Sequence, residues 1–276
     1  MEPVRIDALD DPRIADYRNL KDAQLARERD RFIVEGRGNL RVLLERSPFR
    51  PESILLSERA WGALEGELAE RAPDCPIYLA AQPVLDGIVG FAIHRGVLAA
   101  CPRPAGRDPL ALVREGRERA RAEGRAARFV LLEGLTNHDN VGGILRSAMV
   151  LGADAVLLCP RSCDPLYRKA IRTSMGGSLV VPFARAPDFG ALLDGLVALG
   201  IAVVALDPDP AGTDLAVLDS RALGDVGLLL GTEGEGVSAD ALRRATHRVR
   251  IDMEPGVDSL NVSVAAAIAL HRLRGN

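Results

Sequence analysis

Three short segments in the second half of the chain combine glycine with amide, carboxylate and guanidinium side chains in patterns that could do chemistry. The first runs from Glu133 to Ala148, Glu-Gly-Leu-Thr-Asn-His-Asp-Asn-Val-Gly-Gly-Ile-Leu-Arg-Ser-Ala. It leaves an apolar run, turns through polar residues and Gly142-Gly143, and enters a helix, so Asn140 and Arg146 border a strand–loop–helix junction. Open α/β sheets bind ligands at such junctions, outside the carboxyl ends of their strands. The second, from Leu228 to Ser238, reads Leu-Leu-Leu-Gly-Thr-Glu-Gly-Glu-Gly-Val-Ser. Its glycines let backbone approach a ligand closely. Glu233 and Glu235 would repel a phosphate, so an adenosine moiety or a ligand with a cationic centre fits better. The third runs from Val249 to Ala267 and includes Ser259-Leu-Asn-Val-Ser263 at the start of an alanine-rich helix, where Ser259 is placed to cap and the Asn261 amide to hold a neighbouring loop or a substrate. Neither the dinucleotide fingerprint G-x-G-x-x-G nor a Walker A pattern occurs, which argues against a nicotinamide enzyme and a P-loop ATPase.

These segments need a scaffold, and the chain is long enough for two modest domains: 276 residues, 47% apolar and 26% charged. No apolar run reaches membrane-spanning length, and the polar start lacks a secretion signal, so a cytoplasmic protein is expected. The spacing of Cys75, Cys101, Cys159 and Cys163 suits neither a zinc ribbon nor a disulfide framework, so free thiols and no metal are expected. A net charge of −3 excludes a uniformly basic coat but permits a local phosphate-binding patch.

Strand and helix patterns alternate from end to end. Strands are expected at 32–34, 53–56, 77–79 and 97–100, with helices at 38–45, 58–70 and 83–87, which makes a small α/β domain over 1–105. The proline-rich stretch 101–109 and the arginine-rich 110–125 read as a domain boundary, a solvated linker over 106–127. Beyond it, strands are expected at 129–132, 155–159, 179–181, 201–206, 227–230 and 249–251. Helices at 143–151, 165–175, 189–199, 238–245 and 260–273 separate and follow them. Several of these strands are continuously apolar, as in a parallel sheet covered on both faces.

Taken in order, Asn140-x-Gly-x-x-x-Arg146-x-Ala, Leu230-Gly-x-Glu-Gly-x-Gly236 and Ile251-x-Met253…Ser259-Leu-Asn-Val-Ser263 resemble the three motifs of the SpoU/TrmH RNA ribose methyltransferases. The likeness covers about half the chain and departs from the family's habit of proline before the first asparagine and after Ile251. It implies the SPOUT fold over 128–276: a parallel α/β sheet with a C-terminal trefoil knot, in a homodimer whose site is completed near the subunit interface. Phe32-Ile-Val-Glu-Gly36 and Gly90-Phe-Ala-Ile-His-Arg-Gly-Val-Leu-Ala99 are similar to the opening and closing strands of the ribosomal-protein-like RNA-binding domain that precedes many such catalytic domains, with Arg37, Arg41, His94 and Arg95 as RNA contacts.

The chemistry implied is methyl transfer from S-adenosylmethionine to a ribose 2′-hydroxyl of ribosomal or transfer RNA, ribosomal RNA being favoured by the first domain. By the same resemblance, Leu230, Gly231, Ile251, Met253 and Leu260 hold the cofactor. Arg146 takes the position of the family's essential arginine, Asn140, Glu233 and Asn261 orient it and the ribose, and Ser259 touches phosphate. An arginine stays protonated, so phosphate binding and stabilisation of the developing alkoxide suit Arg146 better than proton abstraction. The competing expectations are base methylation on the same fold and a non-catalytic RNA-binding or ribosome-assembly protein.

Overall fold

A computed structural model describes residues 2–18, 21–72, 74–90, 96–254, 256 and 259–274. Contacts divide the chain into two units, Met1–Ala105 with Leu166–Val180, and Gly106–Pro165 with Val181–Asn276.

The first unit is built on a mixed sheet of β1 (Val4–Arg5), β2 (Arg31–Glu35), β3 (Ser53–Ser57), β4 (Ile77–Ala80) and β5 (Val97–Pro102), in the order β1-β4-β3-β5-β2. Its helices are α1 (Asp22–Arg29), α2 (Arg37–Arg46), α3 (Glu58–Arg71) and α4 (Gln82–Val89). Ile54, Leu55 and Leu56 make the middle of β3 fully buried, and Ser57 ends it by capping α3, its Oγ accepting from the Ala60 amide at 3.2 Å. The expected RNA contacts are engaged within the unit: Arg41 Nε donates to both Glu67 oxygens at 3.0 and 2.9 Å, and Arg37 donates to the Ala63 carbonyl. His94 and Arg95 lie outside the described residues.

The second unit begins with α5 (Pro109–Ala122), followed by β6 (Arg128–Leu132), α6 (His138–Leu151) and β7 (Ala155–Leu158). The inserted segment 166–180 carries α7 (Arg168–Thr173) and α8 (Gly177–Val180) and belongs with the first unit, where Arg168 Nε donates to Asp22 Oδ1 at 2.9 Å. The second unit resumes with β8 (Phe183–Arg185), α9 (Phe189–Ala198), β9 (Ala202–Leu206), β10 (Thr213–Asp214), β11 (Val226–Leu230), α10 (Ala239–Arg244), β12 (His247–Arg250) and α11 (Val262–Leu273). Its strands run in the order β10-β12-β9-β11-β6-β7-β8, every pairing parallel. Along β6 and β11 all residues are buried, and alternate ones face opposite layers. Val130, Leu132, Leu228 and Leu230 pack under α6 and α11, whereas Phe129, Leu131 and Leu229 pack under α5 and α9.

Three sequence expectations change here. The stretch 106–127 is not a solvated linker: α5 buries Leu112, Val113 and Ala120 completely in the second unit's core. Arg117 Nε also donates to Asp225 Oδ2 at 2.7 Å, and Arg125 grips Asp154 through both terminal nitrogens at 2.9 and 2.7 Å. Residues 179–181 do not form a strand, because Leu179 and Val180 close the short α8 and the strand follows at Phe183. A three-residue apolar run gives periodicity too little length to separate the two states. The last helix starts at Val262, not Leu260, and its cap is Asn261, not Ser259: the Asn261 Oδ1 accepts from the Ser263 and Val264 amides at 3.0 and 3.4 Å.

Candidate active site

β6 and β11 are sheet neighbours, yet the chain leaves β6 towards β7 on one side and reaches β11 on the other only after β9. This reversal of strand order opens a crevice at the strands' carboxyl ends. The first motif leaves β6 and the second leaves β11, so both glycine-bearing loops enter that crevice.

The loop after β11 folds back tightly. Thr232 and Gly236 pair through two backbone hydrogen bonds of 3.0 and 3.1 Å, and Gly236 adopts a φ of +69°. Gly231 lies beneath this pair, and a Cβ there would sit 2.0 Å from the Gly236 carbonyl carbon and oxygen. Only glycine permits that approach. The loop's far end is clamped by Glu133, whose oxygens accept from the Ser238 amide at 2.9 Å and hydroxyl at 2.7 Å, while the Glu133 amide donates to the Leu230 carbonyl. Sequence reasoning gave Glu133 no role. Its one signal is its place directly after the strand, where a carboxylate can span to the adjacent strand's loop.

A cleft of about 430 Å³ lies over these elements, within the range of small-molecule sites. Leu230, Gly231, Ile251, Met253 and Leu260 all line it, together with Leu206, Glu233 and Ser259. Among the described residues its charged lining is Asp207, Glu233 and Glu235, with neither lysine nor arginine. An apolar floor with a carboxylate rim suits an aromatic, cationic ligand and is unfavourable for a pyrophosphate.

At the rim the three motifs meet. Asn140, only 4% exposed in the first turn of α6, donates through Nδ2 to Glu233 Oε1. Asn261 Nδ2 donates to Asn140 Oδ1 at 3.0 Å and to Glu233 Oε1 at 3.3 Å. α6 and α11 pack closely enough for this because small residues face each other: a Cβ on Gly143 would lie 2.8 Å from the Ser263 Cβ. Arg146 stands apart. It is exposed two turns into α6, makes no hydrogen bond or ion pair among the described residues, and does not line the cleft. Its six-residue offset from Asn140 carries it about 9 Å down the helix axis. Among the described residues no group of three or more histidine, cysteine, aspartate or glutamate side chains is placed to hold a metal ion. No helix among them is long and apolar enough to cross a membrane.

The model of the SpoU rRNA Methylase family matches residues 127–271. The chain belongs to this family. A Mycobacterium tuberculosis protein described as an uncharacterized tRNA/rRNA methyltransferase is 38% identical to it over 271 residues, 95% of this chain and 88% of that protein. Among solved structures, an S-adenosylmethionine-bound rRNA methyltransferase from Sinorhizobium meliloti shares the fold, with a TM-score of 0.80 over 98% of this chain and 97% of that one at 23% identity. An RNA 2′-O ribose methyltransferase is similar at 26% identity, with a TM-score of 0.75 over 98% of both chains.

Proposed function

We propose that this member of the SpoU family transfers a methyl group from S-adenosylmethionine to a ribose 2′-hydroxyl of structured RNA, ribosomal RNA before transfer RNA. The observation that carries the reading is the joining of Asn140, Glu233 and Asn261 beside a cleft whose charged lining, among the described residues, is carboxylate. The similarity to an RNA 2′-O ribose methyltransferase supports ribose over base.

S-adenosylmethionine is the cofactor, and when bound it supplies an activated methyl on a cationic sulfonium, so the protein needs to supply orientation and electrostatics. Leu230, Ile251, Met253 and Leu260 form an apolar seat, Gly231 keeps the backbone low enough to leave room, and Asp207, Glu233 and Glu235 favour positive charge. Asn140 and Asn261 fix the Glu233 carboxylate at the cleft edge, where it can accept from a ribose hydroxyl. Ser259 on the same wall can donate to a phosphate. Arg146 holds the phosphate next to the target ribose and stabilises negative charge developing on the 2′-oxygen.

Arg146 shares the outward face of the α6/α11 pair with Val150, which is 66% exposed, and with Val264 and Ile268 on α11. Exposed aliphatics on neighbouring helices favour burial against a second copy. We therefore read the active form as a homodimer through this face, each cleft completed by the arginine of the partner subunit. The trefoil knot of the C-terminal segment and an RNA-gripping role for the first unit belong to the same reading.

The test uses labelled S-adenosylmethionine with RNA from a strain lacking the protein, digested to nucleosides. The expected product is a 2′-O-methylnucleoside. A base-methylated product would refute the ribose assignment, and RNA binding without any incorporation would favour an assembly role.

A further inference from the structure

At the carboxyl-end edge of the second unit's parallel sheet, carboxylates outnumber free cations. The loops leaving the carboxyl ends of its strands carry Asp207, Asp209, Glu233, Glu235, Asp252 and Glu254, and their cations are Arg161 and Arg221 alone. Arg221 has a partner within the chain. The strand-end arginines are also occupied: Arg248 pairs with Asp207 and Asp209 at 3.5 and 3.1 Å and Arg250 pairs with Asp252, which leaves Glu233, Glu235 and Glu254 without an ion pair among the described residues. Arg185 donates from one nitrogen to the carbonyls of Cys159, Pro160 and Ser162 at 2.8, 3.1 and 2.7 Å. A polyanionic strand approaching this edge meets like charge unless a cation intervenes.

Arg161 is placed for that role. It is exposed and makes no hydrogen bond or ion pair among the described residues. A Cβ on Gly134 would lie 3.0 Å from the Thr232 methyl and 3.8 Å from an Arg161 terminal nitrogen, so the guanidinium flanks the same glycine as the cleft-lining Thr232. The loop beneath it is held from several sides. The Cys159 amide and the Ser162 hydroxyl both donate to the Leu132 carbonyl at 3.0 Å, the Cys163 amide donates to the Leu135 carbonyl at 2.8 Å, and Arg185 ties down the carbonyls. A guanidinium carried on a rigid loop takes up a phosphate at the cost of its own rotamer freedom alone, with no loop to order.

We propose that Arg161 is a positioning residue that receives a backbone phosphate of the RNA beside the cleft, a role that rests on the RNA-methylation reading. Unlike Arg146, it acts from the same subunit as the cofactor seat.

The test compares wild type, Arg161→Ala and Arg161→Lys on RNA from a strain lacking the protein. Methyl incorporation gives kcat and KM, and filter binding of that RNA gives its affinity across a salt series. Arg161→Ala should raise KM for RNA about tenfold with kcat little changed. It should also flatten the slope of log affinity against log salt by about 0.7 to 0.9. Arg161→Lys should restore the slope, because it keeps the charge. Affinity for S-adenosylhomocysteine and the melting temperature should stay at wild-type values, since Arg161 makes no hydrogen bond or ion pair among the described residues. An unchanged KM and salt slope in Arg161→Ala, or a loss of cofactor binding, would overturn the assignment. Wild-type protein that binds RNA with no incorporation at all would instead sink the methyltransferase reading, while the salt slopes would still decide for or against Arg161.

Discussion

Gly231→Ala is the sharpest probe of the cleft, because the clash it creates is with backbone. The new Cβ would meet the Gly236 carbonyl carbon and oxygen at 2.0 Å and the Val237 nitrogen at 2.2 Å. No rotamer relieves that contact, so the 231–236 loop must open by about an ångström or more to reach van der Waals separation. Opening breaks the two Thr232–Gly236 hydrogen bonds, each contributing about 0.5–1.5 kcal/mol net, which gives a local cost of about 1–3 kcal/mol. The same movement displaces Thr232 and Glu233 from the cleft wall. Calorimetry with S-adenosylhomocysteine should therefore show affinity weakened by about ten- to a hundredfold. Gly234→Ala is the matched control for the loop's fold: nothing lies within 4 Å of its Cβ position and its φ is not left-handed, so its melting temperature should equal that of wild type while that of Gly231→Ala falls. If Gly231→Ala bound like wild type, the loop would not be the cofactor seat, and if Gly234→Ala were destabilised equally, the backbone clash would not be the cause.

Three further outcomes follow from the structure. Arg146→Ala should lower kcat about 10²–10³-fold at saturating RNA while leaving S-adenosylhomocysteine affinity intact, because Arg146 does not line the cleft; near-wild-type turnover of Arg146→Lys would refute a bidentate phosphate role. Leu112→Ala in α5 should cost about 2–5 kcal/mol in denaturant unfolding, since the side chain is completely buried; a change under about 0.5 kcal/mol would return 106–127 to the status of a linker. Stability should fall as pH rises from about 9 towards 11, as read by unfolding midpoints in an alkaline series. Burial pushes the Cys75 and Cys163 thiols up to about 11 from an ordinary 9.0, so across that window the unfolded chain binds fewer protons than the folded one. Replacing both cysteines with alanine should remove that part of the slope, and a slope unchanged by the double replacement would assign it elsewhere.

Most of the second unit was legible because its strands are buried on both faces and read as continuous apolar runs. Val226–Leu230 is VGLLL and Arg128–Leu132 is RFVLL, and neither fits an amphipathic helix of useful length. The short elements share one physical reason for leaving no pattern in the sequence. Residues 177–180 and the two-residue strands β1 and β10 are too short to show a period, so their state is set by partners distant in sequence. α5 is masked in the sequence for a different reason. Its arginines read as solvated charge, whereas Arg117 and Arg119 reach down to Asp225 and the Asp154 carbonyl while Leu112 and Val113 face the core. Long cationic side chains can extend past a buried stripe to polar groups at its margin, so charge density alone does not mark a linker.

The site divides along the same line. Motif spacing could bring Asn140, Glu233 and Asn261 to one junction, and the geometry joins them by hydrogen bonds across 121 and 93 residues of sequence. Spacing could not show that Asn261 does two jobs: its Oδ1 caps α11 while its Nδ2 donates to Asn140 and Glu233. The cap fixes the amide's orientation, because exchanging oxygen and nitrogen would set a donor against the Ser263 and Val264 amides. That orientation leaves the nitrogen facing the carboxylate, which keeps Glu233 an acceptor at the cleft edge. An Asn261→Asp change should preserve the cap and reverse the second contact, placing one carboxylate against another. The first turn of α11 would then survive, while the network that holds Glu233 would not. Circular dichroism at wild-type intensity with impaired methyl transfer is the expected pair of results, and equal activity would show that the asparagine serves the helix alone.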